Sequence, residues 1–305
     1  MFYSPLRYPG GKNKLSNFVA KLCIDNNIHG HYIEPYAGGA SVALFLLLEG
    51  YVEKITINDK DRSIFAFWHS VINETEKLCH LIDKTEICIE TWAQQKAIQK
   101  EKETIDLLTL GFSTLFLNRT NRSGIITGGV IGGVNQNGKY KIDCRFNKKE
   151  IIARINQIAK NKRFINLYNI DAIELIDKIQ SGITSTKEGY NTIFYFDPPY
   201  YLKGDSLYMN YYLHENHKEV SEKIKNINEI HWLVSYDDNI NIENLYQKLP
   251  QKKYSFNHSA FSARDGKEIL FFSSNLKQPL IENYNPTKFK IKRSKTKQYI
   301  EYKFR

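Results

Sequence analysis

The stretch HYIEPYAGGASVALFLLLEGYVEKITIND, residues 31–59, decides the fold. HYIEPY (31–36) is a short apolar strand that runs into a glycine turn. SVALFLLLEG (41–50) is a compact helix closed by Gly50. VEKITIND (52–59) alternates as a strand and ends in an acid. Strand, glycine turn, helix and strand make one β-α-β unit, which predicts an α/β chain.

Outward from this unit, strand patterns recur at FINLYN (164–169), NTIFYFDPPY (191–200) and HWLVSYDD (231–238). KYSFNH (253–258) and EILFFSSN (268–275) form a closing pair. Helical stretches between the earlier ones predict a mostly parallel sheet with an antiparallel terminal hairpin. Residues 62–117 read as mainly helical, and 118–146 as loops and a hairpin dense in Gly, Asn and Thr. The expected organisation is therefore a catalytic domain over 1–61 and 163–285, an inserted subdomain over 62–162, and a tail over 286–305.

The chain has 305 residues, with 42 % hydrophobic and 25 % charged, which excludes fibrous, collagenous and wholly disordered classes. Its net charge of +10 points to a polyanion, either nucleic acid or an anionic membrane surface. A net +7 falls within residues 286–305. This segment reads either as a solvated tail or as an arm that follows phosphates, with Lys288, Lys290 and Lys292 on one face of an edge strand. The longest apolar run, Val42 to Leu48, is too short to span a membrane, and the first residues lack the apolar core of a signal peptide. Cys23, Cys79, Cys88 and Cys144 form no CxxC pair and have no His partner at metal spacing. They read as reduced and mostly buried thiols in a cytoplasmic protein, with no metal site and no disulfide framework.

Three motifs carry chemistry. Asp197-Pro198-Pro199-Tyr200 ends an aromatic strand, and in an open parallel sheet ligands sit beyond such ends. The prolines remove two N–H donors, so the backbone offers carbonyls without competing donors. A carboxylate, a carbonyl and a ring in rigid array suit a planar amino group on a heteroaromatic base. Ser235-Tyr236-Asp237-Asp238 ends a strand on the same side and borders that pocket. Glu34, Tyr36, Gly38 and Gly39 lie in a strand-to-helix turn that permits close approach of a ligand to backbone. This is not the G-x-G-x-x-G of a dinucleotide site. Asp59 ends the next strand, where an acid accepts hydrogen bonds from ribose hydroxyls or caps a helix. Finally, Arg7-Tyr8-Pro9-Gly10-Gly11-Lys12 offers a ring and a cation, either for a ligand or simply as a surface turn.

Taken together and in order, RYPGGK, EPYAGGAS, IND, LNR and DPPY resemble the Dam-like adenine-N6 DNA methyltransferases, over Arg7 to about Asn275. The resemblance implies a Rossmann-like class I methyltransferase sheet with an inserted, mainly helical DNA-recognition subdomain. It implies S-adenosylmethionine as cofactor, contacted by Tyr8, Lys12, Glu34, Tyr36, Gly38, Gly39, Asp59, Asp171 and Asp197. It implies that Asp197 and the Pro198 carbonyl bind the target N6, with Pro199 in the same motif and Tyr200 stacked on the base. Double-stranded DNA is the implied partner, with Asn118 and Arg119 at the start of the DNA-contacting loops. Arg122, Asn135, Gln136, Asn137 and Lys139 follow as base or phosphate contacts, with Arg or Lys suited to guanine and Asn or Gln to adenine.

No metal is implied. A cognate restriction endonuclease is an expected partner if the chain belongs to a restriction-modification pair, and a monomer is the expected state. Two departures from the family pattern stand out. Ala40 replaces the third glycine of the turn, and Thr120-Asn121-Arg122-Ser123-Gly124 replaces the run found in GATC-specific enzymes. GATC specificity is therefore not expected. Two other classes remain open at this level: an RNA or protein-glutamine methyltransferase with the same amino chemistry, and a DNA-binding regulator without turnover.

Overall fold

The structure, a computed structural model, describes residues 2–7, 12–201, 212–257, 265–280 and 285–291. Among the described residues, seven strands form one sheet in the order β3-β2-β1-β4-β5-β7-β6. They are β1 (His31–Glu34), β2 (Lys54–Asn58), β3 (Ile165–Tyr168), β4 (Thr192–Phe196), β5 (His231–Asp237), β6 (Gln251–Asn257) and β7 (Asp265–Phe272). β1 pairs in parallel with β2 and β4, and β4 pairs in parallel with β5. β7 runs antiparallel to β5 and to β6. The mostly parallel sheet with its antiparallel terminal hairpin follows the pattern expected from the sequence.

The chain divides into two compact units. One comprises Lys12–Tyr36, Ser41–Ile57 and Asp171–Arg305. It holds β1, most of β2, and β4 to β7, with helices α1 (Ser16–Asp25), α2 (Ser41–Leu48), α8 (Ala172–Gly182), α9 (Thr186–Tyr190), α10 (His214–Lys225) and α11 (Ile240–Leu245). Every residue of β1 and β4 is buried, which explains the apolar run Ile193 to Phe196 in a central strand buried on both faces. α2 is apolar on all sides because Val42 through Leu47 are all buried. Each such Val, Leu or Phe contributes about 1.5–3 kcal/mol relative to an exposed position. Strand order reverses between β1 and β4. This is the topological switch point, where α/β sheets open a crevice at the carboxyl ends of their strands.

The other unit comprises Met1–Gly11, Ala37–Ala40 and Asn58–Ile170. It is built from α3 (Arg62–Asn73), α4 (Thr75–Lys84), α5 (Ile89–Lys100), α6 (Leu107–Thr120) and α7 (Lys148–Ala159), with β3 following. Local caps fix the helix starts: the Asp61 carboxylate accepts from Ser63 N–H, and Asp106 from Thr109 N–H. The insert expected over 62–162 lies within the Asn58–Ile170 segment of this unit.

Some expectations change. The region 121–146 contains no strand; Asn121 and Val130 make a single isolated antiparallel bridge. The edge strand expected from Lys288 is instead a turn at 286–288, closed by Lys288 N–H donating to the Asn285 carbonyl at 3.1 Å. Pro286 has no N–H to give to a ladder, which favours that turn. Of the four thiols only Cys23 is buried, and none is disulfide-bonded. Tyr8, Pro9, Gly10, Gly11 and residues 292–305 lie outside the described residues.

Candidate active site

β1 and β4 pair in parallel with Ile33 level with Phe194, so Asp197 emerges at the switch point just beyond the level of Glu34. Asp197 is 23 % exposed at its side chain. Its Oδ1 accepts from Ser235 Oγ at 2.7 Å and lies 3.2 Å from the Lys12 ammonium. Ser235 sits on β5, and its hydroxyl also meets the Tyr195 hydroxyl at 3.0 Å. Among the described residues, Asp197 Oδ2 and the Pro198 carbonyl accept no hydrogen bond. Burial pushes the Asp197 carboxyl up, and Lys12 only partly opposes this.

Lys12 is buried, and its three N–H donors have three acceptors. Nζ donates to Tyr200 Oη at 2.6 Å and to Glu268 Oε1 at 2.7 Å, and faces Asp197 at the longer 3.2 Å. It also lies 4.7 Å from the Tyr200 ring centroid. Burial alone pulls the Lys12 ammonium down, but Asp197, Glu268 and the nearby phenols outweigh it and hold its pKa well above the ordinary lysine value. The hydroxyls of Tyr200 and Tyr254 both donate to Glu268, one to each oxygen.

Glu268 was absent from the sequence-based expectation. It reaches this edge because β7 is antiparallel to β5, which sets Glu268 opposite Asp237, the last residue of β5, and opposite Tyr254 on β6. The one signal available in the sequence was an acid inside the otherwise apolar run EILFF.

Glu34 is buried at the end of β1. Its Oε1 accepts from Tyr32 Oη at 2.9 Å and from Ala43 N–H in the first turn of α2 at 3.0 Å. Burial, only partly offset by these two donors, pushes its carboxyl up to about 8. Tyr36 is half-buried and meets the Tyr212 hydroxyl at 3.0 Å. Asp171 caps α8 by accepting from Ile173 N–H at 2.9 Å. His217 is fully buried against the Tyr236 hydroxyl at 3.0 Å, and burial pulls its imidazole down to about 4. The sequence also suggests a loop over the flipped base at Lys203-Gly204 with Tyr208, a structural His258 and a hairpin turn at Arg264; these five residues lie outside the described residues.

In the other unit, the Ala37–Ala40 turn and Asp59 are bound together. Gly38 N–H donates to Asp59 Oδ2 at 2.9 Å, and Asp61 N–H to Oδ1 at 2.9 Å. Trp68 Nε1 on α3 donates to the Gly38 carbonyl at 2.9 Å and anchors the turn. Gly38 has φ 44° and Ala40 φ 46°, so both occupy left-handed backbone. A glycine at the Ala40 position would be conformationally free, whereas alanine there is strained. Burial pushes Asp59 up to about 7, with Asp61 adding to the effect. Each Asp59 oxygen has one N–H donor and can accept another, which suits a ligand presenting two adjacent hydroxyls.

The residues expected to contact DNA divide sharply. Arg122, Asn135, Asn137 and Lys139 are exposed. Asn118 is 1 % exposed: its Oδ1 accepts from Arg7 N–H at 2.7 Å, and its Nδ2 donates to the Arg7 and Gly124 carbonyls at 2.8 Å each. Gly124 has φ 79°, and an added Cβ would lie 2.1 Å from the Arg7 carbonyl oxygen. Arg119 donates through Nε to the Pro5 carbonyl at 2.7 Å. Gln136 turns inward, donating to the Ile131 and Gly133 carbonyls at 2.8 and 2.6 Å and accepting from Ile142 N–H at 2.8 Å. Asn121, also unanticipated, is fully buried and ties the Ile125 and Ile126 carbonyls to Trp92. Among the described residues no group of three potential metal ligands gathers, and no helix is long and apolar enough to cross a membrane.

Comparison with known proteins bears on what these clusters serve. The chain is 22 % identical over 210 residues to the type II methyltransferase M.MjaIII of Methanocaldococcus jannaschii, covering 64 % of this chain and 68 % of that one. Among solved structures, the rRNA methyltransferase AviRa of Streptomyces viridochromogenes aligns at a TM-score of 0.34 with 7 % identity, over 82 % of this chain and 78 % of that one. The family model of the D12 class N6 adenine-specific DNA methyltransferases matches residues 8–260. The match takes in the glycine turn, the Asp59 strand end and the Asp197 motif, and the chain belongs to this family of DNA adenine methyltransferases.

Proposed function

We propose that this DNA adenine methyltransferase draws its methyl group from S-adenosylmethionine and delivers it to an adenine N6 swung out of double-stranded DNA. The observation that carries this is the state of the Asp197 motif. Oδ1 is held by Ser235 and Lys12, while Oδ2 and the adjacent Pro198 carbonyl accept nothing among the described residues. Two acceptors side by side match the two N–H groups of an exocyclic amine.

In a duplex that amine is paired and stacked, so the base must leave the helix to reach a half-buried carboxylate. Asp197 and Pro198 would then accept from N6, pulling its lone pair out of conjugation with the ring. They would also stabilise the positive charge that grows on nitrogen. Pro199 keeps the backbone rigid, with no N–H to compete for those carbonyls. Tyr200, its hydroxyl tethered to Glu268 and Lys12, holds a ring plane against the base.

Cofactor binding is assigned to Glu34, Tyr36, Gly38, Gly39, Asp59 and Asp171, with Tyr8 in support. The fit rests on Asp59, a carboxylate with spare acceptor capacity facing a left-handed glycine turn. When bound, the cofactor supplies an electrophilic methyl group on a sulfonium.

Arg122, Asn135, Asn137 and Lys139 are proposed to read the target, because all four are exposed on the loop-rich segment after α6. Asn118, Arg119 and Gln136 would support that segment from within. The likeness to a type II methyltransferase of M. jannaschii supports a role beside a restriction endonuclease of the same specificity. We take the working species to be a monomer, since one strand is modified at a time.

The test is methylation-sensitive long-read sequencing of plasmid DNA from cells expressing this chain, beside an Asp197→Ala control. One modified-adenine motif, absent from the control, is the expected result. An unmodified plasmid from well-folded protein would overturn the proposal.

A further inference from the structure

The Lys12 ammonium is shared unequally between two carboxylates. It lies 2.7 Å from Glu268 and 3.2 Å from Asp197. The first distance is that of a strong charge-assisted hydrogen bond, and the second is at the margin of one. Tyr200 and Tyr254 complete the shell around Glu268, so this acid is fully engaged inside the protein. It is 3 % exposed and belongs to no methyl-transfer motif. The formal charge of Lys12, Asp197 and Glu268 together is −1.

A lone Lys12–Asp197 pair would be neutral, and its ammonium would draw electron density from the carboxylate that must accept the amine. With Glu268 present, the ammonium has a nearer carboxylate than Asp197, and that carboxylate offsets its charge. Asp197 is left to act as an anion. We propose that Glu268, on the antiparallel strand β7, is a positioning residue for methyl transfer: it takes up the charge of Lys12 so that Asp197 and its surroundings keep the net negative charge that a sulfonium and a developing amine cation require. The inference rests on the cofactor and target assigned above.

The groups that act on Asp197 come from every element packed against it. They are Lys12 before α1, Glu34 on β1, Tyr195 on β4, Tyr236 on β5 and Glu268 on β7, while Tyr254 on β6 acts on Lys12 and Glu268. Tyr200 in the motif itself lies against Lys12. Only Lys12 brings a positive charge among them, and Glu268 is its closest carboxylate.

The test pairs Glu268→Gln with Lys12→Gln, using the full-length protein and a calorimetric melt to confirm folding. S-adenosylmethionine and S-adenosylhomocysteine differ at sulfur by one positive charge. The ratio of their dissociation constants therefore reads local charge without any turnover. Glu268→Gln, which removes one negative charge within the cluster, is expected to cut the preference for the sulfonium roughly tenfold at an effective dielectric near 20. Lys12→Gln is expected to raise that preference. Because only one direction per variant fits the proposal, either variant that folds decides it.

On duplex DNA, Glu268→Gln is also expected to lower kcat about 10- to 100-fold with KM for DNA nearly unchanged, as for a weakened acceptor used in the transition state. The acid limb of its kcat–pH profile should move to lower pH, because Lys12 then serves Asp197 alone. A loss of packing would not lower that limb. An unchanged ligand ratio in both variants, or a ratio that moves the same way in both, would overturn the assignment of Glu268. A wild-type protein that binds both ligands but methylates no DNA would instead sink the proposed function, while the ligand ratio would still decide the role of Glu268.

Discussion

Asn118→Ala separates a residue that faces DNA from one that holds the fold. The side chain makes three hydrogen bonds, at 2.7, 2.8 and 2.8 Å, to the Arg7 peptide and the Gly124 carbonyl. Alanine would leave one donor and two acceptors without partners. A buried group so abandoned costs about 1–3 kcal/mol, and the lower figure applies where water can reach. Because the Arg7 peptide is only part-buried, the sum is about 3 kcal/mol. For a chain of this length that lowers the melting temperature by about 5 °C. The assay is scanning calorimetry of the ligand-free protein, with DNA affinity measured in parallel at two salt concentrations well below the transition. Lys139→Ala is the contrast, because its side chain is exposed. Its stability should stay within about 0.5 kcal/mol, while DNA affinity falls and the salt slope shrinks by about one. An Asn118→Ala protein that melts like the wild type yet loses DNA affinity would refute the structural role.

Two further outcomes concern the loop and the sheet. Ala40→Gly should stabilise the protein by about 0.5–1 kcal/mol in a denaturant titration, since relief of left-handed strain exceeds the added freedom of the unfolded chain; a lower midpoint would count against it. Glu34 is held at about 8 by burial, so over the range above its ordinary value of 4.5 the folded protein keeps a proton that the unfolded chain has released. Its contribution therefore favours the folded state on the acid side and fades as pH rises toward 8. The slope is at most about 1.4 kcal/mol per pH unit. Glu34→Gln should flatten the dependence of melting temperature on pH between 5 and 8, and an unaltered profile would contradict the burial argument.

The parts of the molecule legible in the sequence are those whose chemistry is local. The glycine turn between β1 and α2 announces itself because it needs left-handed backbone, seen at Gly38 and Ala40. Strand β4 is an unbroken apolar run that stops at Asp197, and only a buried parallel strand reads that way. The parts that stayed hidden depend on pairing at a distance. Glu268 looks like one acid in a hydrophobic strand until the antiparallel register of β7 carries it to the carboxyl edge of β5. Asn118 and Gln136 look like reading heads in a polar loop. Their amides turn out to be spent on backbone groups of a segment too irregular to satisfy itself. Asn121 does the same from the end of α6. Composition marks such a loop as polar but does not say which polar groups point inward.

Lys12 and Glu268, bonded at 2.7 Å, are 256 residues apart in the chain. A ribosome that has already released Asp197-Pro198-Pro199-Tyr200 must still translate most of the remaining strands before that bond can close. Closing so long a loop costs more chain entropy than a local contact does, so this bond is expected to form late in folding. A nascent or proteolytically shortened chain that stops before β7 therefore carries the complete acceptor motif but not the charge balance around it. Truncation ahead of β7 is therefore expected to leave Asp197 facing Lys12 with no second carboxylate to share it, so that the last strand completes the electrostatics of a motif laid down far earlier in the chain.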